Sequence, residues 1–224
     1  MVQGARYLML AGHILIADDH PLMREGLILA VKLAIPGVAI DTAGSINEAE
    51  RVIALRRKGY RFVLLDFMLP DSRGFSGFLK LQHFLGETPI AFVSSISDPS
   101  VIEAAQVLGA VAFLSKSWPL DQLTAALRDM VAGKSVFPSI DKSHWPTRSA
   151  RDLIATLSGA QLKVMLALAD GRLNKQIAGD LGITEATVKA HMSAIFRKLG
   201  VSNRAQALLA MQPLLGAAEA ADQP

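Results

Sequence analysis

Short apolar runs alternate with longer amphipathic segments through the first half of the chain. His13–Ala17, Val38–Asp41, Arg61–Leu65, Pro89–Val93 and Val111–Leu114 read as strands. Between and after them, Pro21–Leu33, Ser45–Lys58, Gly74–Leu85, Pro99–Leu108 and Leu120–Val131 read as helices. Local signals support these boundaries. Pro21 suits a first helical turn, Ser45 with Glu48 three residues on forms a capping box, and Gly109 closes the fourth helix. The strands are continuously apolar rather than alternating, so both faces of the sheet are buried. Five strand–helix units of this kind predict a parallel sheet with helices on both sides, an α/β fold.

The pattern breaks at Gly133. Pro138, Pro146 and several polar residues mark a connector, in which Trp145 packs on one neighbour or the other and Arg151–Ile154 reads equally as loop or helix. After Leu157 only helical periodicity remains: Ser158–Ala169, Asn174–Leu181, Thr184–Leu199 and Asn203–Met211, punctuated by Gly171, Gly182 and Gly200. An Ala-rich tail starts at Pro213. The chain thus divides into an α/β domain over 12–132, a linker over 133–156, a small all-α domain over 157–212 and a tail over 213–224.

Composition narrows the function classes. With 224 residues, 51% of them hydrophobic, the chain can bury a sizeable core. It has no cysteine, which excludes a disulfide framework and a thiolate metal site. Met1 to Gly12 lacks the charged start and long apolar stretch of a signal peptide. No run approaches the ~18 apolar residues of a membrane span, so a soluble, cytoplasmic protein without a membrane partner is expected. Charge is unevenly spread. Residues 1–132 hold 12 Lys and Arg against 13 Asp and Glu, whereas residues 133–224 hold 11 against 7. A basic second half suits a phosphate-binding module.

Chemistry-bearing residues recur at strand ends. Asp18–Asp19, Asp66, Ser94 and Lys116 each stand at the carboxyl end of a different predicted strand, and in an open parallel sheet those ends converge on one edge. Gathered carboxylates repel one another, and a divalent cation such as Mg²⁺, which prefers hard oxygen ligands, relieves that repulsion. One carboxylate can then attack a phosphoryl group while a lysine, a hydroxyl and the cation stabilise the transferred charge. Read singly, each residue has a plainer role. An Asp after a strand is usually a turn former or helix cap, as Asp71 is read here. Ser95 competes with Ser94, Phe113 is a core aromatic, and Lys116 a solvated charge.

The ordered set resembles the receiver domain of two-component response regulators. It comprises the Asp18–Asp19 pair, Asp66 within Leu64–Leu65–Asp66–Phe67–Met68–Leu69–Pro70, Gly74, Ser94 and Lys116, and the resemblance covers about residues 12–132. It implies a five-stranded, flavodoxin-like fold with Asp66 as phosphoacceptor. Asp19 would bind Mg²⁺ directly and Asp18 through water or from behind, with the Met68 carbonyl completing the protein ligands. Lys116 would pair with the phosphoryl group, Ser94 would turn to it, and Phe113 would follow as the switch aromatic. Two features depart from the common pattern. Ser117 follows Lys116 where many receivers have proline, and Met68 and Ile96 are apolar where the pocket is flanked, so neither orients a water and a long-lived phosphoaspartate is expected.

In the second half, Asn174–Leu181, Gly182–Ile183 and Thr184–Leu199 read as helix, turn and longer helix, with Thr184 as N-cap. Val188, Met192, Ile195 and Leu199 form the inward face; Lys189, Ser193 and Arg197 lie opposite, with Lys198 beside them. Such a helix can enter the major groove of DNA. The segment from Leu157–Ser158 through Gly171, Asn174–Lys175–Gln176–Ile177–Ala178, Leu181, Thr184, Thr187–Val188–Lys189, His191, Ile195, Lys198–Leu199, Val201, Arg204 and Ala207 resembles the LuxR-type helix-turn-helix of the NarL/FixJ family. That resemblance implies Lys189, Ala190 and Ser193 toward bases and Asn174, Lys175, Thr187, Arg197 and Lys198 toward phosphates. His191 is read as a packed histidine. Ala160–Gln161 replaces the family's common Arg–Glu, so an ion pair is expected to be missing there.

Together the two resemblances imply a non-enzymatic transcriptional regulator, phosphorylated by a cognate sensor histidine kinase and binding double-stranded DNA as a homodimer. They leave RNA polymerase open as a further partner. Ala205, Leu208 and Leu209 on the last helix suit either a dimer face or the domain's own core. The alternatives are a regulator that ignores phosphorylation and uses its receiver as a dimer scaffold, a phosphatase with Asp66 as nucleophile, and an adaptor whose helical domain binds protein. The phosphatase reading is opposed by Met68, which stands where a second acid would be needed.

Overall fold

The computed structural model describes residues 12–139 and 156–208, apart from 57, 58, 73 and 170. The expectations for Trp145, Arg151–Ile154, Leu209, the first eleven residues and the tail fall outside these residues.

Five strands form one parallel sheet: β1 His13–Ala17, β2 Ile40–Ala43, β3 Tyr60–Asp66, β4 Ile90–Ser94 and β5 Ala112–Ser115, in the order β2-β1-β3-β4-β5. The helices between and after them are α1 Pro21–Ala34, α2 Ile46–Ala54, α3 Ser76–Leu85, α4 Pro99–Val107 and α5 Leu120–Val131. Side chains alternate across the strands. Ile14, Ile16, Leu64, Val93 and Leu114 pack with Leu27 and Val31 of α1 and Leu123 and Leu127 of α5. Leu15, Val63, Leu65, Phe92 and Phe113 face the other way, toward α2, α3 and α4. Both faces are therefore covered, which is why the strands read as unbroken apolar runs.

The strand order has a consequence for the site. The chain moves outward from β1 to β2, then crosses back over β1 to place β3 on its other side. The connections leaving β1 and β3 therefore run to opposite faces, and a crevice opens between their carboxyl ends. Asp18 follows β1 and Asp66 ends β3, so both lie at this crevice.

Two expected elements end elsewhere. β2 begins two residues later than Val38–Asp41, because its register is fixed by pairing Ile14 with Ile40 and Ala17 with Ala43. α2 stops at Ala54 rather than at Lys58. Beyond it the Arg56 guanidinium bonds both oxygens of Asp41, a strand residue that also accepts from the Tyr60 hydroxyl at 2.9 Å. A tertiary ion pair thus competes with the last helical turn. The connector also starts differently: Val136 bridges Ala112 in parallel, and its carbonyl accepts from Phe113 N at 2.8 Å, so the chain leaves α5 along the edge of β5.

The second domain has α6 Gly159–Ala169, α7 Asn174–Leu181 and α8 Glu185–Leu199, and residues 204–208 are helical as well. Leu162, Met165, Ile177, Val188, Ile195 and Ala207 form its interior. Five consecutive residues of α6, Val164 to Leu168, are buried, so this helix is enclosed on more than one side. It packs on α8 within its domain and on α3 of the receiver-like domain. Gly182 makes the turn between α7 and α8 at φ 64°, a left-handed conformation that favours glycine. A Cβ built there would stand 2.9 Å from His83 Cε1 of α3, so the glycine also permits the close approach of the two domains.

The N-terminus of α2 is capped twice. Ser45 Oγ accepts from Glu48 N at 3.1 Å, while Glu48 Oε2 reaches back to Gly44 N at 2.7 Å. Asp71, which sits beyond β3, accepts from Ile46 N at 2.8 Å and Asn47 N at 2.9 Å. Asp71 is a helix cap as expected, but of a helix some twenty-five residues earlier, and it ties the loop after Asp66 to α2. Asp71→Ala is expected to cost about 1 kcal/mol in urea denaturation, with Ser45→Ala adding to it; an unchanged midpoint in Asp71→Ala would show that this cap carries no load.

Candidate functional site

The crevice holds a charge cluster. Asp18 is fully buried directly after β1, Asp66 is 4% exposed at the end of β3, and Asp19 lies beside Asp18. Lys116, just past β5, places its ammonium 2.5 Å from Asp66 Oδ2 and 2.9 Å from Asp18 Oδ2. Its backbone is fixed by donating from Lys116 N to the Ser94 carbonyl at 2.9 Å. Ser117 in place of proline does not divert it: the Ser117 and Ser115 hydroxyls bond each other at 2.8 Å and the lysine still reaches in.

Burial pushes the Asp66 carboxyl above its ordinary range, with Asp18 adding to that. The Lys116 ammonium and the Met68 N–H, which donates to Asp66 Oδ1 at 3.1 Å, pull against it. Burial pulls the Lys116 ammonium down, but its bonds to the two aspartates prevail and hold it above the usual lysine range. The lysine is therefore firmly charged, as a counterion to two buried carboxylates must be.

One atom each from Asp18, Asp19, His20 and Asp66 lies within 4.8 Å of the others. Asp18 Oδ2 faces the Lys116 ammonium, and buried Asp19 Oδ1 faces the Nδ1 of exposed His20 at 2.8 Å. Three carboxylates gathered this closely are the donor set of a hard divalent cation. His20 was not among the residues singled out in the sequence. Its only signal was its place after the aspartate pair, and an exposed histidine carries little information alone.

Ser94 is fully buried and its Oγ accepts from Ile96 N at 3.1 Å, whereas Ser95 is exposed. Ile96 is buried and Met68 half-buried, so the flanks of the pocket are apolar. Phe113 lies in the core, its ring 5.9 Å from Phe92. Phe92 also meets Phe67, Phe75 and Phe78 with centroids 5.5, 5.7 and 5.1 Å away, an aromatic cluster that begins one residue past Asp66.

On the second domain, Thr184 caps α8 by accepting from Thr187 N at 3.1 Å. Lys175, Lys189, Ala190, Ser193, Arg197 and Lys198 are exposed, and Asn174 and Thr187 partly so. Most of these form the polar side of α8 or the start of α7. Lys198 differs: its ammonium donates to the Thr156 carbonyl and to Gln161 Oε1, both at 2.7 Å. Gln161 also accepts from Ser158 N at 3.1 Å, so a neutral amide stands where the ion pair was expected to be missing. Arg204 donates to the carbonyls of Leu168 and Arg172, both at 3.0 Å, closing the end of α6. His191 is half-buried and faces the cleft against α3.

Comparison with known proteins agrees with both halves. Residues 14–128 match the response regulator receiver domain, and residues 155–211 match the bacterial regulatory proteins of the luxR family. The chain is 35% identical over 206 residues to the glycerol metabolism activator of Pseudomonas putida, covering 88% of this chain and 93% of that one. It is 30% identical over 201 residues to the nitrate/nitrite response regulator protein NarP of Escherichia coli, covering 88% and 92%. Among solved structures, the RcsB response regulator of Salmonella typhimurium superposes with a TM-score of 0.53 at 19% identity, over 92% of this chain and all of that one, which bears on the fold alone. The chain therefore belongs to the response regulators of the NarL and NarP type, with a receiver domain followed by a LuxR-type DNA-binding domain.

Proposed function

We propose that this chain is a phosphorylation-controlled transcriptional regulator that takes a phosphoryl group on Asp66 from a sensor histidine kinase. The observation that carries this reading is the Lys116 ammonium held between the buried carboxylates of Asp66 and Asp18. That arrangement keeps a nucleophilic carboxylate in a pocket whose positive charge is already oriented. A carboxylate oxygen of Asp66 would bond to phosphorus as the donor's P–N bond breaks and the imidazole departs. Lys116 would follow the new charge onto the phosphoryl oxygens. Ser94 Oγ accepts from Ile96 N, which leaves its own O–H free to donate to that group. Mg²⁺, held by Asp18, Asp19, Asp66 and the Met68 carbonyl, would supply charge neutralisation when bound. The buried Ile96 and half-buried Met68 offer no group to activate water, which favours a persistent phosphoaspartate.

The output is DNA binding by α7 and α8. Lys189, Ala190 and Ser193 would meet base edges, and Asn174, Lys175, Thr187, Arg197 and Lys198 the phosphates. Lys198 would first exchange its bonds to Thr156 and Gln161. Two copies binding adjacent half-sites suit a domain of this class, with exposed Ala205 and half-buried Leu208 on the last described helix as one contact face. The name of the Pseudomonas relative favours activation of transcription as the result.

Three outcomes are expected. First, Lys116→Met strands two buried carboxylates and is expected to lose about 3–5 kcal/mol in urea denaturation with EDTA present, whereas Asp66→Asn loses far less. Equal losses in the two variants would mean that the ammonium is not the counterion described. Second, beryllofluoride with Mg²⁺ should raise affinity for genomic DNA fragments on the order of tenfold in the wild type and leave Asp66→Asn unmoved; identical binding in all four conditions would leave regulation without phosphorylation as the correct account. Third, once a site is selected from such fragments, Lys189→Ala should cost about 1–3 kcal/mol there and little on unrelated sequence. A uniform loss on both would assign Lys189 to the backbone instead.

A further inference from the structure

The two domains meet along α3, and the contact is not solid. A cavity of about 180 Å³ lies between them, lined by Gln82 and His83 of α3, Lys163 of α6, Asp180 of α7 and His191 of α8, with aliphatic walls elsewhere. A cavity of ~150 Å³ suffices for benzene, so this one has room for a molecule of about six or seven heavy atoms.

Its charge is unbalanced. Lys163 is half-buried and its ammonium bonds the side-chain oxygen of Gln82, a neutral group. Burial pushes its pKa down, the direction expected when a cation loses water and gains no acid. Asp180, the one acid among the described residues on the cavity wall, is held by Arg172 at 2.6 Å, so its charge is already cancelled. His83 and His191 add an imidazole from each domain, each able to donate an N–H. His83 is seated against Gly182, where a side chain would displace it. The cavity thus combines an under-compensated cation, two imidazoles and a paired acid, drawn from both domains.

We propose that this cleft binds a small anion, a carboxylate or phosphate of about six heavy atoms, and that the anion ties the two domains together. The ammonium of Lys163 supplies the charge partner, and the imidazoles of His83 and His191 supply hydrogen bonds from opposite walls. An anion here restores to Lys163 the compensation that water gave it, and it does so only while the domains are docked. It is an input separate from Asp66, because the residues involved lie on α3 and the helix-turn-helix domain rather than at the carboxyl edge of the sheet.

The test is calorimetric titration of the full chain with inorganic phosphate and, separately, with lactate, in EDTA so that the acidic pocket holds no cation and repels both. Saturable one-to-one binding by either is expected, with a rise in Tm and shifts of the His83 and His191 ring resonances in NMR. The tighter anion identifies the class. Lys163→Met and His83→Leu should each weaken binding at least about tenfold, equivalent to ~1.4 kcal/mol. If Lys163→Met melts early, Lys163→Gln, which still can donate to Gln82, replaces it. No saturable binding of either anion overturns the proposal, as does binding that survives both substitutions. Loss in the Lys163 variant alone, with His83→Leu unaffected, overturns the bridge between domains.

Discussion

One ammonium balances two buried carboxylates, and the receiver-like domain is arranged around that balance. Asp18 and Asp66 are almost completely sequestered, and two such charges side by side would repel strongly without Lys116. The three residues come from the ends of β1, β3 and β5, which are not consecutive in the chain. Parallel pairing brings them to one edge, and the strand order β2-β1-β3-β4-β5 sets β1 beside β3. The fold is thus the means by which distant residues become neighbours, and the ion pair is a cost the fold carries at this edge of the sheet. A core designed for stability alone would replace all three by apolar groups.

The aromatic cluster links this edge to the rest of the molecule. Phe67 follows Asp66 immediately and packs edge-on against Phe75 at 5.0 Å and Phe92 at 5.5 Å, and Phe92 touches Phe113 of β5. Phe78 on α3 completes the group. The same helix carries Gln82 and His83 one turn farther on, where they meet α6 and the α7–α8 turn. Asp71 pins the loop beyond Asp66 onto the start of α2. A rearrangement of the Asp66 loop therefore bears on α2 and α3, the second of which is the element on which the DNA-binding domain is seated.

Much of this was legible in the sequence, for a physical reason in each case. The strands were readable because a sheet covered on both faces demands unbroken apolar runs, and the site was readable because parallel strands deliver their ends to one place. α5 and α7 fall where periodicity and glycine signals put them. What escaped depends on tertiary partners. The register of β2 is set by β1, not by its own residues. α2 ends early beside the Arg56–Asp41 pair. The partner of Asp71 lies on another element, and Lys198 turns to Gln161, which no spacing rule connects. The docking of His83 on Gly182 joins residues about a hundred positions apart, and a glycine that serves a turn gives no separate sign that it also makes room for a ring.

The docked arrangement also constrains how control could work. Lys189, Ala190, Ser193 and Arg197 remain exposed while α3 holds the α7–α8 turn and the side of α8 bearing His191. The receiver therefore does not switch these side chains off by burying them. What docking fixes is the position and orientation of the whole domain relative to its receiver. Helix-turn-helix dimers read half-sites one helical turn, about 34–36 Å, apart. Two domains held on their receivers meet DNA productively only if receiver geometry matches that spacing. Under the proposed function, phosphorylation acts on the freedom of the domain to reach a partner copy, and the recognition surface itself stands ready throughout.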